Sequence, residues 1–326
     1  MWDFSIGRTI GIVVRTWPFV LLRMAVYFGI TAAYVIVVAV GAGMGYGTGM
    51  VLGESGGAVP FALWGGIIGF SLVTAVFYWL REYILYMVKA GHIAVLVHLV
   101  EGRAIPGGMG QIAYGRQVVT ERFAEANVLF ALDQLIKGAL RAVSALLGSF
   151  AAFLPIPGLG GLVRIANAII RMSIVYVDEI ILAHNIRLGS RTPFETGRQS
   201  VVLYAQNGVT MVKNAVWLAV FIWLVGAILF LLVLAPAGAL VYGMPGQGAG
   251  WAFVFALLFA WACIAAFVEP FAVTALMQVY FRTIEGQVPD PEWDGRLVQA
   301  SSKFRQLKDR AAQETGRAFG RPAPAH

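Results

Sequence analysis

Few residue types able to do chemistry occur in this 326-residue chain, and they stand apart from one another. Glu269 sits inside the apolar run "WAFVFALLFAWACIAAFVEPFAVTA", with Pro270 directly after it. Proline has no N–H, so a helix through Pro270 leaves the Ala266 carbonyl without its donor and favours a kink. A carboxylate beside a freed carbonyl inside a membrane is the chemistry of a cation or proton site. The plainer reading is a Glu near the cytoplasmic end of its helix, snorkelling or paired with an Arg.

Asp178 and Glu179 are adjacent in "SIVYVDEIILAH". Neighbours on a helix point ~100° apart, so they do not make a paired site alone. Asp133, Lys137 and Arg141 are spaced by four and share one helix face, and Asp133 reads as the i,i+4 partner of Lys137. A hairpin that brings Lys137, Arg141 and Arg171 against Asp178 and Glu179 accounts for all six by charge pairing. Tyr176, Trp261, Phe267 and Phe271 offer ring faces for a quaternary amine. Trp217 and Trp251 read as anchors at the membrane–water interface.

Other motifs exclude more than they include. His92 and His98 are six apart, about 240° around a helix, and do not form a metal pair. "GESGG" at Gly53–Gly57 matches the hydrolase pattern in letters, but it lies between helices without the strand-turn-helix that aims the serine. The chain has neither a phosphate loop nor a dinucleotide fingerprint. Cys263 is the only cysteine, which excludes an internal disulfide and a cysteine metal cage. The expectation is no enzyme, no metal and no cofactor.

The elements that must position these residues are set by composition. The chain is 59% hydrophobic and 13% charged, against ~25% charged in soluble domains. It lacks the charge to cover a water-facing surface, and reads as an all-α integral membrane protein. A span needs ~20 apolar residues, and four runs qualify: about 19–42, 60–80 (its helix continuing to Leu99), 215–234 and 251–275. The loops "GAGMGYGTGMVLGESGG" and "APAGALVYGMPGQGAG" lack Lys and Arg, whereas basic residues crowd the other ends of all four runs. The positive side is cytoplasmic. Both termini are therefore placed inside, in an inner (plasma) membrane, with residues 1–18 as an interfacial segment, 19–285 as the membrane domain and 286–326 as a basic cytoplasmic tail. The net charge of +7 is spread along span ends, which fits anionic lipid head groups and not nucleic acid.

The stretch "GSFAAFLPIPGLGGLVRIANAII" is uncharged and long enough to cross, but Pro and Gly break its middle. A crossing there would put Arg187, Arg191, Arg198 and Lys213 outside. A hairpin over about 128–187, turning at 155–161, avoids this. Each arm is roughly ten residues, about 15 Å of helix, so the turn is either re-entrant and buried in protein or interfacial. Three cytoplasmic elbows share a pattern of Gly, then Pro, then Gly-Arg opening a short helix: "VEGRAIPGGMGQIAYGRQVV", "IRLGSRTPFETGRQSVV" and "IEGQVPDPEWDGRLVQA". Small residues at spacing four (Ala25, Gly29, Ala33; Gly65, Gly69) suit close helix packing, within the chain or between protomers of a homo-oligomer.

The second half, about 127–307, resembles the choline-transporter-like family. The resemblance lies in "VLFALDQLIKGALRAV", in "IVYVDEIILAHNIRLGSRTPFETGRQSVVLYAQNGVTMV" with its helix ending at Asn207, in "AAFVEPFAVTALMQVYFRTIEG" with its apolar-acidic step, and in "SSKFRQL". The large extracellular domain and longer span set of that family have no counterpart here. The resemblance implies a transporter fold for choline or another organic cation. Together these readings point to a permease for a small solute, with Glu269, Pro270, Asp178, Glu179, Tyr176 and Trp261 along its path. The alternative is a non-transporting scaffold or accessory subunit that holds a protein partner or anionic lipid through its elbows and tail.

Overall fold

The computed structural model describes residues 2–52, 58–122, 126–152, 176–242 and 248–319. The turn at 155–161 and Arg171 lie outside the described residues. Every regular element among those described is an α-helix: α1 (Ile6–Arg15), α2 (Trp17–Leu52), α3 (Ala58–Val100), α4 (Gln111–Arg122), α5 (Ala126–Ala152), α6 (Val177–Leu188), α7 (Pro193–Gln206), α8 (Gly208–Tyr242), α9 (Gly248–Thr283), α10 (Pro291–Ala300) and α11 (Ser302–Phe319). Among the described residues four stretches are long and apolar enough to cross a membrane: Trp17–Leu52, Arg81–Val100, Gly208–Leu232 and Ala260–Thr283. The run expected at 60–80 is the first part of the continuous α3.

The chain divides into two compact units. The first comprises Met1–Phe19, Ala90–Gly226 and Phe267–His326. Its core explains why two of the four apolar stretches are half or more buried. Ile93 to Val97 on α3 and Ala272, Val273, Leu276 and Tyr280 on α9 are almost without exposure, so their apolar character serves protein packing. The amphipathic helices α5 and α11 belong to the same unit. On α5 the buried residues Leu132, Ile136, Ala139, Leu140 and Val143 recur at helical spacing, and on α11 Phe304, Leu307 and Ala311 do the same. Both helices pack against α7. Burial of Phe304 and Leu307 stabilises by about 1.5–3 kcal/mol each. The basic tail expected from composition is thus a folded part of this unit from α10 through α11.

The three elbows share a backbone device. Gly102, Gly189 and Gly286 have φ of 74°, 62° and 73°, a left-handed region that only glycine occupies without strain. Gly189 closes α6 in this way, its N–H reaching the last carbonyls. A short helix then starts, α4, α7 or α10, each holding a Gly-Arg step at Gly115-Arg116, Gly197-Arg198 or Gly295-Arg296. Pro193 and Pro291 stand in the first turns of α7 and α10, where the missing N–H removes no helical bond. The second and third elbows meet: Gln206 accepts from the Asp290 N–H at 2.9 Å, and Asn207 donates to Gln287 at 2.7 Å.

The second unit comprises Val20–Lys89 and Ala227–Ala266. Its α2 stretch has no buried share of its most apolar window, and exposed Leu21, Ile36, Val40, Trp64, Ile67 and Ile68 cover it. Within it α2 and α3 cross on glycine. A Cβ on Gly45 would stand 2.1 Å from the Phe61 carbonyl oxygen, and one on Gly69 3.0 Å from that of Val37. Gly65 and Gly69 therefore do support a close crossing, with Gly41 and Gly45 opposite. Gly29 meets nothing within 4 Å.

Candidate functional site

The second unit contains a groove of about 440 Å³ lined by Tyr27, Ile30, Thr31 and Tyr34 of α2, Arg81 and Leu85 of α3, and Trp261 of α9. The α2 residues fall at i, i+3, i+4 and i+7, one helix face, and Arg81 and Leu85 are i, i+4 on theirs. Trp261 meets Tyr27 edge-on at 6.0 Å, and Tyr34 lies 5.8 Å from Phe70. The Thr31 hydroxyl donates to the Tyr27 carbonyl at 2.7 Å, leaving its lone pairs as acceptors. Among the described residues Arg81 is the one formally charged lining group, with a loose 3.8 Å approach to Glu82. The groove joins aromatic and aliphatic walls to a guanidinium, the arrangement that holds an amphiphile by its body and orients it by one charge.

Of the residues singled out from sequence, only Trp261 lines this groove. Glu269 is half-buried, and α9 runs on through a buried Pro270. Both belong to the first unit. So do Asp133, Lys137, Asp178 and Glu179, which form a second polar group. Lys137 Nζ is 2.8 Å from Asp133 and 3.6 Å from Asp178, so the cation stands between carboxylates of α5 and α6. Asp133 is buried, and burial together with the facing Asp178 pushes its carboxyl up to about 6 despite Lys137. Glu179 is buried, Tyr176 is half-buried where α6 begins, and Arg141 is exposed. Asp178 and Glu179 diverge as their adjacent positions require; Asp178 alone shares Lys137 in a described contact. Among the described residues no group of acids, histidines and cysteine is arranged to hold a metal.

The histidines are structural partners. His184 donates from Nδ1 to Ser200 Oγ at 2.8 Å, since that hydroxyl itself donates to the Thr196 carbonyl. Burial, helped by Arg187, holds the imidazole down at about 4 and hence neutral. His92 stacks on Phe19 and bonds through Nε2 to Thr16 Oγ1 at 2.9 Å. Tyr114 donates to His98 Nδ1, and Nε2 donates to the Ala104 carbonyl.

Sequence reading missed two arrangements. The first is the groove: Arg81 is one of many basic residues at the ends of apolar runs, and the Tyr27, Ile30, Thr31, Tyr34 spacing is unremarkable in an apolar run. The second is the network that seats α11. Glu314 accepts from the Phe194 and Glu195 N–H groups at 3.0 and 3.4 Å, capping α7 from 119 or more residues away. Asp294 pairs with both Arg198 and Lys308. Arg198 also pairs with Glu195, whose carboxyl is pushed up by burial but held below its ordinary range by the guanidinium. Arg8 donates to the Val100 carbonyl at 2.5 Å and so closes the end of α3.

No family model, no curated protein and no solved structure matches this chain.

Proposed function

We propose that the protein is a permease-like integral membrane protein that takes a small solute into the groove of its second unit. The apolar helices carry the chain through an inner membrane with both termini cytoplasmic, as the Lys and Arg distribution favours. The single observation behind the solute site is the groove itself: about 440 Å³, within the ~300–1,000 Å³ of small-molecule sites, set between helices that expose apolar surface. Its charged lining group is Arg81, which favours a negatively charged group on the solute. The choline-like reading rests on the family resemblance, and Trp261 is the one element of it that the groove retains. Glu269 and the Lys137 cluster then act as structural charges of the first unit.

Uptake into proteoliposomes tests this reading. Purified protein in vesicles should admit small organic anions faster than empty vesicles, and Trp261→Ala should slow the flux. Absence of flux for anionic and choline-like solutes alike, with insertion confirmed by protease mapping, would defeat it.

A second reading is favoured by a specific observation: α10 and α11 form an ordered platform with α5 and α7, and Lys303, Arg305 and Lys308 are exposed on it. A scaffold would bind a protein partner or acidic lipid surface there. Stoichiometric co-purification that is lost on reversing the charge of Lys303 and Arg305, with the fold intact, would support it.

A further inference from the structure

We infer that the groove holds the head group of an anionic phospholipid, with the phosphate on Arg81 and the first part of the acyl chains against Tyr27, Leu85 and Trp261. This rests on the reading of the second unit as membrane-embedded, and it names the class of solute for the same site.

The lining selects against the other anions. A compact, strongly hydrated anion needs several donors to replace its water. Here the charged donor is the Arg81 guanidinium, and the Thr31 hydroxyl hydrogen is committed to the Tyr27 carbonyl. The remaining walls are Ile30, Leu85 and the rings of Tyr27, Tyr34 and Trp261, which are apolar over their faces and carry two hydroxyls and one indole N–H at their edges. An anion that carries its own apolar body is the ligand for which such walls are attractive. A phosphate diester meets a guanidinium through two parallel N–H···O bonds, stronger than the 3.8 Å approach to Glu82 that Arg81 makes.

The aromatic set points the same way. Tyr and Trp settle at the head-group level of a bilayer, where one edge of the ring is wet and the rest is apolar. Tyr27, Tyr34 and Trp261 line one groove with an arginine, the pairing that attracts acidic lipid. Trp261 is 54% exposed, and Arg81 is half-buried with 40% of its side chain exposed. The groove is therefore open to its surroundings, and its volume suits a head group and glycerol while longer chains continue along the exposed apolar helix surface.

The test uses full-length protein reconstituted in phosphatidylcholine, with spin-labelled phosphatidylglycerol or spin-labelled phosphatidylcholine as probe. Electron paramagnetic resonance reads the motionally restricted fraction. Wild type should restrict phosphatidylglycerol several-fold more than phosphatidylcholine. Arg81→Gln should bring that ratio near one, and Arg81→Lys should keep part of it. Circular dichroism and gel filtration confirm that each variant folds. If Arg81→Gln keeps the wild-type preference, or if glycerol phosphate in solution displaces the labelled lipid, the lipid assignment is wrong. Solute flux separates the two readings. Lipid preference through Arg81 without flux removes the permease and keeps the lipid site. Flux with no lipid preference removes the lipid site and keeps the permease.

Discussion

Gly41 on α2 and Gly65 on α3 are in such close approach that a Cβ on Gly41 would lie 2.4 Å from the Gly65 carbonyl oxygen, and one on Gly65 2.1 Å from that of Gly41. Backbone meets backbone there, so no side-chain rotation can relieve an added methyl. Gly65→Ala should lower stability by about 1–3 kcal/mol, the usual cost of overpacking. Gly29→Ala, which meets open space, should be neutral or gain up to ~1 kcal/mol from lost chain entropy. Thermal unfolding in detergent compares the two, and equal effects would mean that α2 and α3 do not cross at these glycines.

The C-terminal helix tests the packing of the first unit. Phe304→Ala removes a side chain with no exposure and should cost about 3–5 kcal/mol, whereas Arg305→Ala, pointing to solvent, should stay within ~0.5 kcal/mol. Glu314→Ala removes the acceptor that caps α7 and should cost about 0.5–2 kcal/mol. Glu314→Gln, which keeps a carbonyl acceptor, should recover most of that. A tail that hangs free would show none of these differences.

Asp133 and His184 oppose each other in their pH dependence. The Asp133 carboxyl is raised from 3.8 to about 6 by burial and Asp178. Between those values the folded chain holds a proton that the unfolded chain has lost, and stability falls as pH rises. His184 is lowered from 6.5 to about 4 by burial and Arg187. Between those values the unfolded chain holds the extra proton, and stability rises with pH. His184→Gln should therefore give a melting temperature that drops from pH 4.5 to 6, and Asp133→Asn one that climbs over the same range. Wild type should be flatter than either. Parallel slopes in all three proteins would contradict this assignment.

Topology has its own test. Gly47→Cys, in the region without Lys or Arg between the first two apolar runs, should label from outside in intact cells. Ile156→Cys and Gly161→Cys, in the Pro-Gly turn outside the described residues, should not. Equal labelling at all three positions would overturn both the hairpin and the placement of the termini.

Local signals in the sequence held their meaning because they depend on a few consecutive residues. The elbows were legible as Gly, Pro and Gly-Arg steps, since a left-handed glycine and a proline at a helix start are satisfied by adjacent backbone. The Asp133–Lys137 pair was legible because i,i+4 spacing places both on one helix face wherever the helix goes. The all-helical character followed from composition and run length, and three of the four expected apolar runs overlap the stretches found, while the second stretch lies at Arg81–Val100 and not at 60–80.

What the tertiary structure decided was the partner of each surface. Hydrophobicity does not distinguish a side chain facing lipid from one facing protein, so only packing separates exposed Ile36 and Val40 from buried Ile93 and Val97. Small residues at spacing four announced close approach at Ala25, Gly29 and Ala33 as loudly as at Gly65 and Gly69, and the crossing chose the latter. Arg81, one basic residue among many at the ends of apolar runs, is the charged member of a groove because Tyr27, Tyr34 and Trp261 arrive from helices distant in sequence. Glu314 capping α7 is likewise a contact between segments more than a hundred residues apart. Sequence by itself determined the elements and their local ends. Tertiary structure decided which faces meet, because contact across long separations depends on the path of the whole chain and leaves no periodic trace in any one segment.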